Sequence, residues 1–297
     1  MTSRNRALAF IYTFLLVAQT GIVVTGGAVR LTGSGLGCPT WPQCTGTSYK
    51  PVAHQAQGQL HSWIEFGNRL LTAIIILAIL IAAIGYFKWG RHRSDAKRLR
   101  TLILLQFLGI VAQIVVGGIS VLTHLNPFAV GTHFIISILI IAATVSLRNR
   151  MLNVQVSHIS DTSRQLSRLV LLLAFIVINL GILVTGSGPH AGDEAAGRFG
   201  LDPRTISWIH ADSVIAMLGL SVGLWFLLKS SADSNAQNAF SFFVIASLAQ
   251  GFIGYTQYFT KLPEILVGAH MLGACLVWIS IWNYGFKTSL LKRENTK

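Results

Sequence analysis

Three histidines, His133, His210 and His270, stand inside long apolar runs, each one to two helical turns from the same end of its run. An ionisable side chain inside an apolar span is costly, and its default reading is functional. Neutral imidazole is a usual axial ligand of haem iron, and sites of this kind are built in the interiors of helical bundles. The structural alternative is an imidazole hydrogen-bonded to a neighbouring helix. Three at one depth favour the ligand reading. His210 and His270 fall in one half of the chain at matching depth, as a bis-histidine haem site requires. His133 and His270 also share a local sequence. Val130-Gly131-Thr132-His133 returns as Val267-Gly268-Ala269-His270, at an offset of 137 residues that also pairs Gln113 with Gln250 and Gly117 with Gly254.

The first half lacks an evident partner for His133. The expected depth falls near Asn68, and asparagine is a poor iron ligand beside imidazole. His61 lies seven residues earlier, almost on the same helical face but roughly 10 Å shallower. The first half is therefore a one-histidine site or takes His61 as its second ligand. Such asymmetry suits one permanent cofactor and one exchangeable haem-like substrate. Glu65 lies between His61 and Asn68 on that face. It reads either as a structural ion pair with Arg69, four residues on, or as a proton-transfer group. Cys38 and Cys44 frame a loop rich in Gly, Pro and Trp. They read as a disulfide staple or as a redox-active pair. Cys275, within the last apolar run, reads as a small packing residue. The glycines at 33, 35 and 37 do not make a phosphate loop, because no Gly-Lys-Ser/Thr and no strand accompany them.

The elements that must position these groups are membrane helices. Of 297 residues, 52% are hydrophobic and 11% charged, against roughly 25% charged in soluble domains. Eight runs approach the roughly 20 apolar residues a span requires: 7–27, 63–87, 101–122, 128–147, 166–186, 205–228, 238–258 and 264–286. The net charge of +13 does not indicate nucleic acid, because most Lys and Arg cluster in short segments between spans. That bias places both termini in the cytoplasm and the loops 28–62 and 187–204 outside. The expected fold is an all-α integral membrane protein of eight transmembrane helices in two pseudo-symmetric four-helix bundles. The expected division is 1–147 for the first half with the substrate site and Cys loop, 148–165 as linker, and 166–297 for the second half and a short cytoplasmic tail. A bacterial plasma membrane is the simplest setting.

The chain resembles the haem A synthase family of cytochrome oxidase assembly enzymes. The resemblance rests on Gly37-Cys38-Pro39-Thr40-Trp41-Pro42-Gln43-Cys44, on Ile64-Glu65-Phe66-Gly67-Asn68-Arg69, and on the histidines at 133, 210 and 270. The stretch from Val184 to Asp193 looks like the actinobacterial branch. The resemblance implies oxidation of the C8 methyl of haem O to a formyl group by successive hydroxylation, giving haem A. It implies His210 and His270 as ligands of a resident haem b, His133 at the substrate haem, Glu65 as the catalytic carboxylate, and Cys38 with Cys44 as the redox pair. Haem O synthase and cytochrome oxidase assembly factors are the partners it implies. Many members carry histidine where this chain has Asn68, which leaves His61 as the substitute. An electron-transfer cytochrome b with two haems and a haem transporter are the competing functions. The first demands complete ligand pairs in both halves. The second fits parallel repeats, but no broken helix at mid-membrane is evident.

Overall fold

The computed structural model describes residues 2–194, 196–230 and 233–290, so the expected tail at 291–297 lies outside the described residues. Among them are eight α-helices: α1 Ser3–Leu31, α2 Gln59–Trp89, α3 Ala96–Leu122, α4 Pro127–Met151, α5 Asp161–Ser187, α6 Pro203–Ser230, α7 Ser234–Phe259 and α8 Glu264–Lys287. All eight are long and apolar enough to cross a membrane. Most outrun the apolar runs by about a turn, because polar caps complete them. Thr2, Asn126, Ser160 and Asp233 each accept a backbone N–H of the following first turn. Asp202 accepts both the amide and the hydroxyl of Thr205 ahead of α6. Those bonds from Thr205 hold its carboxyl below the usual carboxylate range.

The outward faces are apolar: Phe10, Leu108, Phe242 and Phe252 are all exposed. Apolar surface this extensive suits lipid rather than water. In the first half α1 packs on α2 and α4, and α3 packs on α2 and α4. This leaves α2 and α4 diagonal to each other. In the second half α5 and α7 each pack on α6 and α8, leaving α6 and α8 diagonal. The 137-residue repeat is visible in the backbone. His124 and Leu125, between α3 and α4, adopt left-handed φ values of 51° and 58°, and Lys261 and Leu262, between α7 and α8, adopt 64° and 60°. The amides of Leu125 and Leu262 close matching turns on Ser120 and Gln257, each at 2.7 Å.

Helix α8 forms the seam, packing on α4 and α1 of the other half, while α5 packs on α4. Polar side chains cross the seam. The Trp278 indole donates to the Ile138 carbonyl at 2.7 Å, Trp282 donates to Ser146 at 2.8 Å, and Asn149 donates to Asn283 at 2.8 Å. The interiors differ. Gln19 donates to Gln106 at 2.6 Å, and Thr144 joins both within 3.1 Å. At the repeat positions of Gln106 and Thr144 the second half has Phe243 and Ile281, both fully buried in an apolar cluster. Among the described residues, Trp278 is the largest fully buried side chain. Trp278→Ala is expected to cost about 3–5 kcal/mol and Trp278→Phe, which loses mainly the hydrogen bond, about 1 kcal/mol. Thermal unfolding in detergent measures both, and equal losses would show that the hydrogen bond, not packing, holds the seam.

Candidate functional site

The diagonal helices α6 and α8 bring His210 and His270 together, with ring centroids 6.4 Å apart and planes at 72°. Two imidazoles sharing one metal at about 2.0–2.1 Å per bond, the length for zinc–histidine, have centroids about 6–6.5 Å apart. The spacing is therefore the one that two imidazoles bound to a single metal ion would have. His210 Nδ1 donates to the Val177 carbonyl of α5 at 3.1 Å. That bond fixes the tautomer and leaves Nε2 as the free electron-pair donor, as a metal-bound histidine requires. Each ring rests over a glycine of the adjacent helix. A methyl at Gly181 would lie 3.5 Å from His210, and one at Gly254 would lie 3.0 Å from His270.

The first half repeats one side of this arrangement. His133 rests over Gly117, where a methyl would lie 3.2 Å from its ring. The Gln113 amide donates to the His133 carbonyl at 3.2 Å, and its repeat partner Gln250 donates to the His270 carbonyl at 2.6 Å. In both copies the histidine Nδ1 and the glutamine Oε1 are buried without a partner. These glutamines are the functional neighbours that sequence reasoning passed over. Their shared offset marked them, but nothing local revealed that each one grips a histidine's backbone.

The other side is not repeated. Thr25 donates to the Asn68 carbonyl oxygen at 2.8 Å, and Asn68 lies beside Gly26. Gly21-Ile22-Val23-Val24-Thr25-Gly26 matches Gly181-Ile182-Leu183-Val184-Thr185-Gly186. His210 meets α5 at Val177 and Gly181, so Asn68 stands at least a turn nearer the Cys loop than His210 does. Gly21, the counterpart of Gly181, has nothing within 4 Å of where a side chain would start. Open space thus lies where the second half carries its imidazole. His61 is farther out still, in the first turn of α2, with Nδ1 at 2.9 Å from the Ser34 hydroxyl. It belongs to the rim.

Glu65 is buried beneath the cysteine loop. Its Oε2 accepts the Cys38 amide at 2.5 Å and its Oε1 accepts Arg69 Nη2 at 2.6 Å. Arg69 also donates to the carbonyls of Cys38, Thr40 and Gln43 at 2.8, 3.1 and 3.2 Å. One ion pair therefore holds the whole loop. Cys38 and Cys44 are disulfide-bonded and fully buried. Gly37 lies against the His61 carbonyl, where any side chain would collide with backbone. The other rim arginines are engaged as well. Arg30 donates to the carbonyls of His190 and Thr185, Arg198 to those of Gly188 and Pro189, and Arg204 stacks on Trp208.

Residues 8–192 match the COX15-CtaA family model, described as cytochrome oxidase assembly protein. Relatives named heme A synthase are 37% identical over 40% of the chain in Geobacillus kaustophilus, 34% over 43% in Geobacillus thermodenitrificans, and 31% over 48% in Lysinibacillus sphaericus. The alignments span 35, 36 and 44% of those relatives' own lengths. The family match takes in Cys38, Cys44, Glu65 and His133 and ends before His210 and His270, of which His270 is tied to the first half by the internal repeat. Since it covers more than half of the chain, the protein belongs to the COX15-CtaA family of cytochrome oxidase assembly proteins.

Proposed function

We propose that the protein is a haem A synthase, oxidising the C8 methyl of haem O to the formyl group of haem A. The observation that carries this reading is the unequal pair of half-sites: His210 and His270 brought together in the second half, and in the first half His133 on the matching helix pair with open space at Gly21, the counterpart of Gly181. Family membership and the relatives' printed names support it. His210 and His270 hold a resident haem b, which when bound supplies one-electron redox chemistry. His133 ligates the iron of the substrate haem O, and Asn68 and Thr25 line the wall beyond it. His61 stays at the rim, where it seats Ser34.

Successive hydroxylation of the methyl gives a gem-diol, and its loss of water to leave the formyl group requires a proton to move from one hydroxyl to the other. Oε1 of Glu65 accepts two hydrogen bonds from Arg69, whereas Oε2 accepts the Cys38 amide and keeps a second lone pair. The carboxylate can therefore take a proton without releasing the loop. Arg69 holds it in position, and the covering loop excludes water. Burial of both cysteines favours the staple role for the disulfide, because exposed disulfides are the labile ones. A plain electron-transfer cytochrome would need a second closed ligand pair, and the space at Gly21 argues against one.

In this reading the basic segments face the cytoplasm, as do both termini, and the cysteine loop lies on the outer face of the cell membrane. Haem O arrives within the bilayer from haem O synthase, and haem A passes to cytochrome oxidase assembly factors.

Glu65→Gln, produced together with haem O synthase, is expected to lower haem A formation at least about hundredfold while the resident haem spectrum persists. Normal haem A in the extracted pigment would remove Glu65 from the chemistry. His270→Ala should lose the resident haem in a pyridine haemochrome assay, and His133→Ala should keep it while failing to retain haem O. The opposite pattern would exchange the roles of the two halves. Gly37→Ala must lift the loop from His61, so a water-soluble phosphine should reduce Cys38–Cys44 several-fold faster with the resident haem unchanged. An unaltered reduction rate would show that the loop is not seated by this contact.

A further inference from the structure

A second concave site lies at the other end of the molecule, away from the histidines. A cavity of about 690 Å³ opens between the start of α3 and the ends of α4 and α8. Arg93, Arg98 and Arg150 all line it, and among the described residues Asp95 is the only carboxylate that does. Asp95 binds Arg93 at 2.9 Å and reaches Arg150 at 3.7 Å. One carboxylate cannot neutralise three guanidinium groups, so the cavity keeps an excess of positive charge. Arginines that serve only to orient a membrane protein can splay into water. Here Arg93 and Arg150 are half-buried, and Arg150 lies over the Phe286 ring at 5.5 Å. Stacking holds the guanidinium plane and leaves its edge as the donor surface, the geometry that suits phosphate oxygens. Trp282, whose indole N–H is already given to Ser146, forms an aromatic wall.

We infer that this cavity binds a phosphate group, carried either by the headgroup of an anionic lipid or by a free phosphate. Basic clefts between membrane helices at the cytoplasmic side are suited to anionic headgroups. The occupant would join the two halves, because Arg93 and Arg98 belong to the α2–α3 region and Trp282 and Phe286 to α8. The site is independent of the haem reading and would hold for an electron-transfer protein equally.

The test is native mass spectrometry of the full-length protein in detergent, titrated with phosphatidylglycerol, with phosphatidylcholine, or with inorganic phosphate. The expected result is retention of phosphatidylglycerol in preference to phosphatidylcholine, weakened roughly fivefold by Arg98→Gln and further by adding Arg150→Gln. Asp95→Asn, which removes the competing carboxylate, should tighten retention. Arg168→Gln, which takes the same charge from exposed α5 outside the cavity, should leave it unchanged. Displacement of the lipid by inorganic phosphate identifies the phosphate as the recognised group. Retention of the lipid against phosphate identifies the whole headgroup. Equal loss in Arg168→Gln and Arg98→Gln would overturn the site in favour of diffuse surface charge, as would no preference for phosphatidylglycerol together with no phosphate binding.

Discussion

A carboxylate in a membrane helix must be compensated where it stands, and the end of the molecule that bears the cysteine loop is arranged around that need. Leaving Glu65 charged and unpaired away from water would cost several kcal/mol. Arg69, one turn along α2, supplies the counter-charge, and the Cys38 amide supplies a second donor. A guanidinium has donors to spare after binding one carboxylate. Those of Arg69 go to three carbonyls of the loop. The loop is thus tied down by the same pair that it covers. The disulfide shortens the segment that must be ordered, and Gly37 permits its backbone to lie on that of α2. Remove the carboxylate and the arginine loses its orientation; remove the loop and the carboxylate loses its shelter.

The repeat explains why two sites exist and the packing explains why they differ. In both halves a glutamine on the third helix grips the backbone of a histidine on the fourth, and a glycine gives its ring room. That common half-site survives because it is local to one helix pair joined by a short, left-handed turn. The second histidine of the His210–His270 pair comes from the diagonal helix, which is reached through a long loop. There the halves have diverged: an imidazole held by Val177 in one, and open space beside Gly21 in the other. The interiors diverged too, with a Gln19–Gln106–Thr144 knot in the first half and Phe243 and Ile281 filling the corresponding space in the second.

Much of this is legible in the sequence, for definite reasons. Spans are readable because a bilayer imposes a minimum apolar length. Their ends are less so, since α5 begins at Asp161, where a polar turn capped by Ser160 extends the apolar run. His210 and His270 can be matched because both sit at similar depths in long runs, and the 6.4 Å spacing agrees. The level of Asn68 cannot be read by counting. The loops before α2 and α6 differ in length, so position along the chain does not fix where α2 stands against α1. His61 on Ser34 and Gly37 on His61 are equally silent in sequence, because each depends on a loop folding back over a helix without any periodic pattern.

In the proposed reading, the difference in the number of histidines bears on what each site can do. A cofactor that stays through many turnovers gains from two protein ligands, because dissociation then requires both bonds to break. A haem that enters as substrate and leaves as product is served better by one, since a second bond would strengthen substrate and product binding alike without favouring the transition state. In the proposed reading, the space at Gly21 is therefore not a defect left by a lost histidine. It would let the substrate haem be held by His133 without a second imidazole, with Glu65 as the carboxylate of that half. In the same reading, a haem held by the closed pair would supply redox capacity that need not be rebuilt at each turnover. Duplication of one half-site would then have provided both grips, and divergence at a single helix would have made one of them reversible.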